Sequence, residues 1–185
     1  MKKSLIFTVL ILVCFIVNAQ DESTKFSGEN SYGVKAGFTS FNIKASASGV
    51  SVSEDASGFY VGFFASFSLS EKFEVQPELH VLSVYESGES SSVLLIPFLA
   101  KFNITEEFGV LAGPQLDIVL DEDTGGLKKT GLGLAAGLEY LITDNIFIDA
   151  RYSFGLSDRL GDLDDDGAGI KLKFNYLQAG LGYRF

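Results

Sequence analysis

An all-β fold, an eight-stranded antiparallel up-and-down transmembrane β-barrel, is what this sequence predicts, and three observations carry the prediction. The first is the final run, Leu177-Gln178-Ala179-Gly180-Leu181-Gly182-Tyr183-Arg184-Phe185. Leu177, Ala179, Leu181, Tyr183 and Phe185 fall on one face and the polar or small residues on the other, and a period of two marks a strand. The second is that seven earlier runs alternate in the same way. The third is that the connections between runs alternate between tight and long, the rhythm of barrels that cross a membrane with short turns on one side and long loops on the other.

The start of the chain reads as a secretory signal. Lys2 and Lys3 form the positive n-region, residues 5–17 are apolar except Thr8, and Val17-Asn18-Ala19 is a small-residue cleavage site. A spanning helix needs roughly 20 apolar residues, so this segment is too short to stay as an anchor. Residues 1–19 are therefore expected to leave, residues 20–31 to form a polar periplasmic arm, and residues 32–185 to form the barrel. Cys14, the only cysteine, falls inside the signal. A mature chain without thiols has no disulfide, Cys-based metal site or Cys nucleophile. Without Lys2 and Lys3 the chain holds 12 basic residues against 24 acidic ones, a net charge of −12. That balance argues against nucleic acid, whose affinity rests on neutralised phosphates.

The runs, in order, are 32–41, 58–69, 73–86, 93–103, 107–120, 130–142, 146–157 and 171–185. Each approaches or exceeds the roughly 9–11 residues of a tilted membrane strand. The second presents Phe59, Val61, Phe63, Ala65 and Phe67 on one face. The fifth presents Phe108, Val110, Ala112, Pro114, Leu116 and Ile118, with Gly109, Leu111, Gly113, Gln115 and Asp117 behind. The sixth carries Gly131, Gly133, Ala135, Gly137 and Glu139 on its small face, and the seventh Ile146, Ile148, Ala150, Tyr152 and Phe154 on its apolar face. Tight turns fall at 70–72, 104–106 and 143–145, and long loops at 42–57, 87–92, 121–129 and 158–170.

A soluble lipocalin-like barrel would alternate too, with its apolar face inward. The small, glycine-rich faces decide between the two. A water-facing sheet is rarely built of glycine, which weakens strands, whereas small residues suit a narrow eight-stranded lumen. Pro77, Pro97 and Pro114 lie within predicted strands, so bulges or weakened pairing are expected there. With no Trp in the chain, any aromatic girdle must be made of Phe and Tyr.

Six of these segments also resemble a known family. Leu94-Leu95-Ile96-Pro97-Phe98-Leu99-Ala100-Lys101-Phe102 is similar to its "IPLLLKY" strand, and Gly109 to Gly113-Pro114 to its "LAGP" strand. Gly131 to Gly137-Leu138-Glu139-Tyr140 resembles "GLVAGLGYE", with Glu139 where glycine is usual. Asp149 to Leu156 resembles "DARYSYGL", and the final run "QLGLGYRF". Gly33-Val34-Lys35-Ala36-Gly37 is similar to its opening strand. This is the PorT-like outer-membrane β-barrel family of Gram-negative bacteria. The resemblance implies a barrel in the cell outer membrane and no particular activity. One namesake acts in a protein secretion system.

By parity, Lys35, Glu74, Glu78, Lys101, Asp117, Glu139, Asp149, Arg151 and Arg184 point into the lumen. A charge out of water needs a partner, so Arg151, Arg184, Lys35 and Lys101 are expected to form one network with Glu78, Glu139 and Asp149. It reads as a structural plug, with a gated narrow pore as the alternative. His80, the sole histidine, lies on the lumen side while Ser83, three residues on, faces out. A base must lie within reach of its nucleophile, so a lipid-modifying barrel enzyme is disfavoured. Paired carboxylates such as Glu74 and Glu78 would lack a substrate cleft.

In the fourth loop, Asp162, Asp164 and Asp166 before Gly167 match the opening of a calcium loop. The twelfth position is Lys173 instead of glutamate, so the loop reads as a solvated acidic segment with weak calcium binding as the alternative. Asp121-Glu122-Asp123 is a weaker version. No cofactor is expected. The expected partners are outer-membrane lipid and lipopolysaccharide, with the barrel-assembly machinery during insertion, for a monomer whose function is structural or surface-binding through its loops. Leu181, Tyr183 and Phe185 form the expected insertion signal. Deleting Phe185 should impair membrane insertion far more than Arg184→Gln, as measured by the fraction of heat-modifiable barrel on unheated detergent gels. Equal effects would contradict the separate roles of the two faces.

Overall fold

A computed structural model of the chain describes residues 30–47, 50–86, 89–121, 125–160 and 171–185. Eight strands form one closed antiparallel barrel in chain order. They are β1 (Ser31–Ala47), β2 (Val50–Ser68), β3 (Phe73–Glu86), β4 (Glu89–Asn103), β5 (Phe108–Val119), β6 (Thr130–Leu141), β7 (Ile146–Gly155) and β8 (Lys171–Arg184). Closure is made by β1 and β8, paired from Gly33↔Arg184 to Ser46↔Lys171, with the Phe185 N–H donating to the Tyr32 carbonyl at 2.9 Å.

The three tight turns are closed by the same device. Ser70, Thr105 and Thr143 each accept a backbone N–H three residues on, from Phe73, Phe108 and Ile146. A hydroxyl that caps its own turn removes an orphan donor and fixes the reversal. On the other side, β5 and β6 are joined through Gly125 and Gly126, whose φ angles of 59° and 88° are readily open to glycine.

Strand ends depart from the sequence pattern on the long-loop side. Residues 42–57 were expected to be loop, yet β1 and β2 stay paired from Asn42↔Asp55 up to Ala47↔Val50, and β3 and β4 up to Glu86↔Glu89. Ser- and Ala-rich sequence has low strand propensity, but once two strands are aligned, each further pair adds ladder hydrogen bonds. Asn42 reinforces this stretch by donating to Asp55 at 2.7 Å, and Asn175 donates to Asn42 at 3.3 Å.

The prolines produce no bulge. Register is the same on either side of each, but the pairing lapses for two positions: opposite Pro77 in β2–β3, beside Pro97 in β3–β4 and beside Pro114 in β4–β5. A missing N–H removes a ladder bond without requiring an extra residue.

The outward face is an apolar belt that includes Phe59, Val61, Phe63, Leu132, Leu138, Ile148, Phe154, Leu177 and Leu181. Exposed rings gather near the tight-turn end, namely Tyr32, Phe73, Phe102, Tyr140, Tyr183 and Phe185. Tyr32 packs on Phe185 with ring centroids 5.6 Å apart. The inward face is tightly filled. A Cβ added to Gly182 would run into the Phe147 ring, and one added to Gly180 into the Tyr60 hydroxyl. These glycines make the space that the larger rings occupy. Gly182→Val should therefore lower stability by about 1–3 kcal/mol, read as a shift in the urea midpoint of the folded barrel in micelles. Ala179→Val, on the outward face, should leave the midpoint almost unchanged.

Candidate functional site: a sealed, charge-balanced lumen

The inward face has two zones. On the tight-turn side it is charged; on the long-loop side it is apolar.

Glu78, on β3, organises the deeper charged group. Its carboxylate accepts from Arg151 Nη1 and Nη2, from Lys35 Nζ at 3.1 Å and from Gln76 Nε2 at 2.7 Å. His80 Nε2 lies 2.8 Å from the same carboxylate, and the His80 ring stacks on Tyr60 at 5.1 Å. Asp149 takes the rest of Arg151, from Nε at 3.2 Å and Nη2 at 2.8 Å. It also lies 3.5 Å from Lys35 and accepts from the Tyr60 hydroxyl at 3.4 Å.

The second group lies nearer the tight turns. Glu139 Oε1 accepts from Lys101 at 2.6 Å and from Arg184 at 3.1 Å. Glu74 accepts from Asn103 at 2.6 Å and from Ser66, and lies 3.8 Å from Lys101. A small polar cavity of about 50 Å³, lined by Glu74, Lys101, Glu139 and Arg184 among others, opens there.

The sequence reading expected a single network, and the structure divides it in two. Phe64 and Phe147 pack edge-to-face, with centroids 5.3 Å apart, where the groups would meet. Lys35 approaches both rings at 5.3 Å, and Arg184 approaches Phe147 at 5.8 Å. Cation–π contact holds each cation without requiring the two groups to merge. Each group has two cations and two carboxylates and is neutral with His80 uncharged.

Two features escaped the sequence reading. One is the apolar zone, in which Phe41, Tyr60, Leu82, Val84, Val93, Leu95, Phe174 and Tyr176 form one buried cluster. Phe41 meets Phe174 edge-on at 4.9 Å and stacks on Tyr176 at 5.1 Å. The lumen was expected to be polar or small-lined. Apolar residues on both faces of a strand flatten the alternation that would have revealed them. The other is Arg159, which enters the lumen from the segment after β7. It is almost fully buried, pairs with Asp117, lies 4.5 Å over the Phe174 ring and donates to the Lys128 carbonyl at 3.0 Å. Tyr176 also donates to Asp117, at 3.1 Å. Next to Arg159, Asp158 accepts the backbone N–H groups of Leu172 and Leu160 at 2.9 and 3.2 Å. The Leu172 bond above all holds its carboxyl below the usual range.

Lys35, Glu74, Glu78, Lys101, Asp117, Glu139, Asp149 and Arg151 all lie buried on the inward face, and Arg184 is partly buried. His80 is fully buried and Ser83 lies on the opposite face of β3. Leu181, Tyr183 and Phe185 are exposed on the outward face. Asp162, Asp164, Asp166, Glu122, Asp123, the signal segment and residues 20–29 lie outside the described residues. Among the described residues, no group of His, Cys, Asp and Glu is arranged to hold a metal ion.

The family model described as "Outer membrane protein beta-barrel domain" matches residues 7–185. Among solved structures, the barrel is similar to Ail, the attachment invasion locus protein of Yersinia pestis, with a TM-score of 0.55 at 18% identity, covering 85% of this chain and 100% of that one. It is also similar to Neisserial surface protein A, with a TM-score of 0.50 at 21% identity and the same coverage, 85% and 100%. No curated protein is matched by the sequence.

Removing one partner of a buried ion pair strands the other charge. Glu78→Ala should therefore cost about 3–5 kcal/mol, measured by equilibrium unfolding in micelles. Adding Arg151→Met to it should recover part of the loss. Arg184→Gln, at the half-open end, should cost about 1 kcal/mol or less.

Proposed function

Because the chain belongs to the outer membrane protein beta-barrel domain family, we propose that it is a closed, non-enzymatic outer-membrane barrel that works through its surface, by binding or by structural support through its extracellular loops. The observation that carries this reading is the seal of the lumen. Every strand contributes an inward side chain with at most 2% exposure: Thr39 and Tyr60, His80 and Leu95, Gln115 and Ala135, Ser153 and Gln178. A water-filled conduit would wet at least one of these on its way through. The charge balance supports the same reading. Asp117 with Arg159 adds a third neutral set to the two four-member groups, so the lumen lacks a net field of one sign to draw ions in.

An enzyme is disfavoured on geometry. His80 is sealed against Glu78 and Tyr60, with the nearby Ser83 on the other face. Within the family, the PorT-like subdivision is supported by the order of its strand motifs, from Gly33-Val34-Lys35 to Gly182-Tyr183-Arg184-Phe185.

Planar-bilayer recording tests the proposal. The wild-type protein should insert without discrete conductance steps. Stepwise conductance that Arg151→Ala enlarges would replace the sealed reading with the gated pore.

A further inference from the structure

The lumen charges described above balance, and of the seven basic residues of the mature chain that lie outside these groups, three sit together. Lys44 on β1 sits directly opposite Lys173 on β8, and Lys171 follows two residues further up β8, opposite Ser46. All three lie at odds with the inward parity of their strands, which is set by Thr39 and Phe41 on β1 and by Phe174, Tyr176 and Gln178 on β8. They therefore face outward. Lys44 and Lys171 are exposed and Lys173 half-buried. Among the described residues none of the three forms an ion pair with a carboxylate. The nearest acid lower on the same face, Asp55, is engaged by Asn42. Like charges directly opposite on neighbouring strands destabilise a sheet, so the Lys44–Lys173 pair favours an anion on that face.

The height of the pair identifies the source. Leu177, 51% exposed, is the uppermost outward apolar residue of β8 below the lysines. Lys173 stands four residues above it, about 13 Å of strand, or about 10 Å of height once the strand tilts by 35–45°. The polar zone of a bilayer is about 5–8 Å deep on each side, and a lysine stem bends its ammonium back toward that zone. The ammonium groups of Lys44 and Lys173 thus face the head groups of the surrounding leaflet, with Lys171 about 5 Å higher on the same face.

We propose that Lys44, Lys171 and Lys173 form a docking site for the phosphate groups of a phosphorylated outer-leaflet lipid, held on the outside of the β1–β8 seam. The proposal rests on the outer-membrane location and is independent of whether the lumen conducts. Each lysine adds to the attraction for an anionic head group, and three together make a site on the order of 100-fold stronger than the bare wall.

Native mass spectrometry of the folded, full-length barrel in detergent tests it, with diphosphoryl lipid A, dephosphorylated lipid A and inorganic phosphate as separate probes. The wild type should retain diphosphoryl lipid A, and neither of the other two at the same concentration. Lys44→Gln, Lys171→Gln and Lys173→Gln combined should weaken retention by about 10- to 100-fold. Lys72→Gln, in a tight turn at the opposite end, should leave it unchanged. Heat-modifiable gel mobility shows whether each variant is folded, and the single Lys173→Glu variant provides a milder second test. Equal retention of the dephosphorylated lipid would overturn the proposal, as would a folded triple variant that binds like wild type. The second result would mean that the three lysines do not hold the lipid.

Discussion

Hydrocarbon offers nothing to an unpaired backbone N–H or C=O, so a sheet can live there only without edges. Here that condition is met by one seam, the β1–β8 ladder from Gly33↔Arg184 to Ser46↔Lys171. Much of the rest follows from closing the sheet at eight strands. A barrel of that size has a lumen only as wide as its own side chains, so the inward face must fill it. Filling it requires alternation of bulk: Gly180 and Gly182 are cut back so that Tyr60 and Phe147 can occupy the axis.

A filled lumen then dictates its own electrostatics. Charges that cannot reach water must neutralise one another locally, because attraction repays desolvation only when geometry is good and the remaining donors and acceptors are satisfied. Glu78 meets that demand with four different donors or near neighbours, and Arg151 by spreading its guanidinium between Glu78 and Asp149. The Phe64–Phe147 pair keeps this group apart from Glu139 and its cations, so each must balance on its own. The outer zone needs no charge pairing of that kind, since aromatic and aliphatic packing of Phe41, Phe174, Tyr176 and Leu95 does the filling. Arg159, arriving from a loop, is the exception and brings its own partner requirement, met by Asp117.

Parity was legible in the sequence because strand geometry repeats every two residues, and one buried charge fixes the face of a whole strand. That is why alternation alone turns Lys35, Glu78, Glu139 and Arg151 inward, where they are buried. Three things were not legible, for different reasons. The division of the charges into two groups depends on how tilted strands stagger residues from β1, β3 and β7 to one height, and a linear sequence carries no stagger. The apolar zone hides in strands that are apolar on both faces, such as β4, where Val93 and Leu95 point in while Leu94 and Phe98 point out. Arg159 belongs to a connection with no periodicity, so its inward turn is decided by the backbone bonds it makes to Leu172 and Lys128. The prolines are an intermediate case. Their cost to the ladder was foreseeable, but a two-position lapse at constant register, in place of a bulge, depends on the neighbouring strands holding alignment on both sides.

The same bookkeeping of charge separates the barrel's surfaces. An acidic protein that spends five cations inside the barrel, each against a carboxylate, has few left for outside. Were the remainder placed at random, the strand ends above the apolar belt would be expected to carry mixed signs, with each lysine near an acid. Instead Lys44, Lys171 and Lys173 occupy adjacent outward positions on the closing seam. Two lysines face to face gain nothing from each other and lose to repulsion, so their juxtaposition favours an anion on that face. In an outer membrane the wall of the barrel at that height meets lipid head groups before it meets solvent. The seam that removes the sheet's last edge therefore also presents a basic outward face to its lipid neighbours.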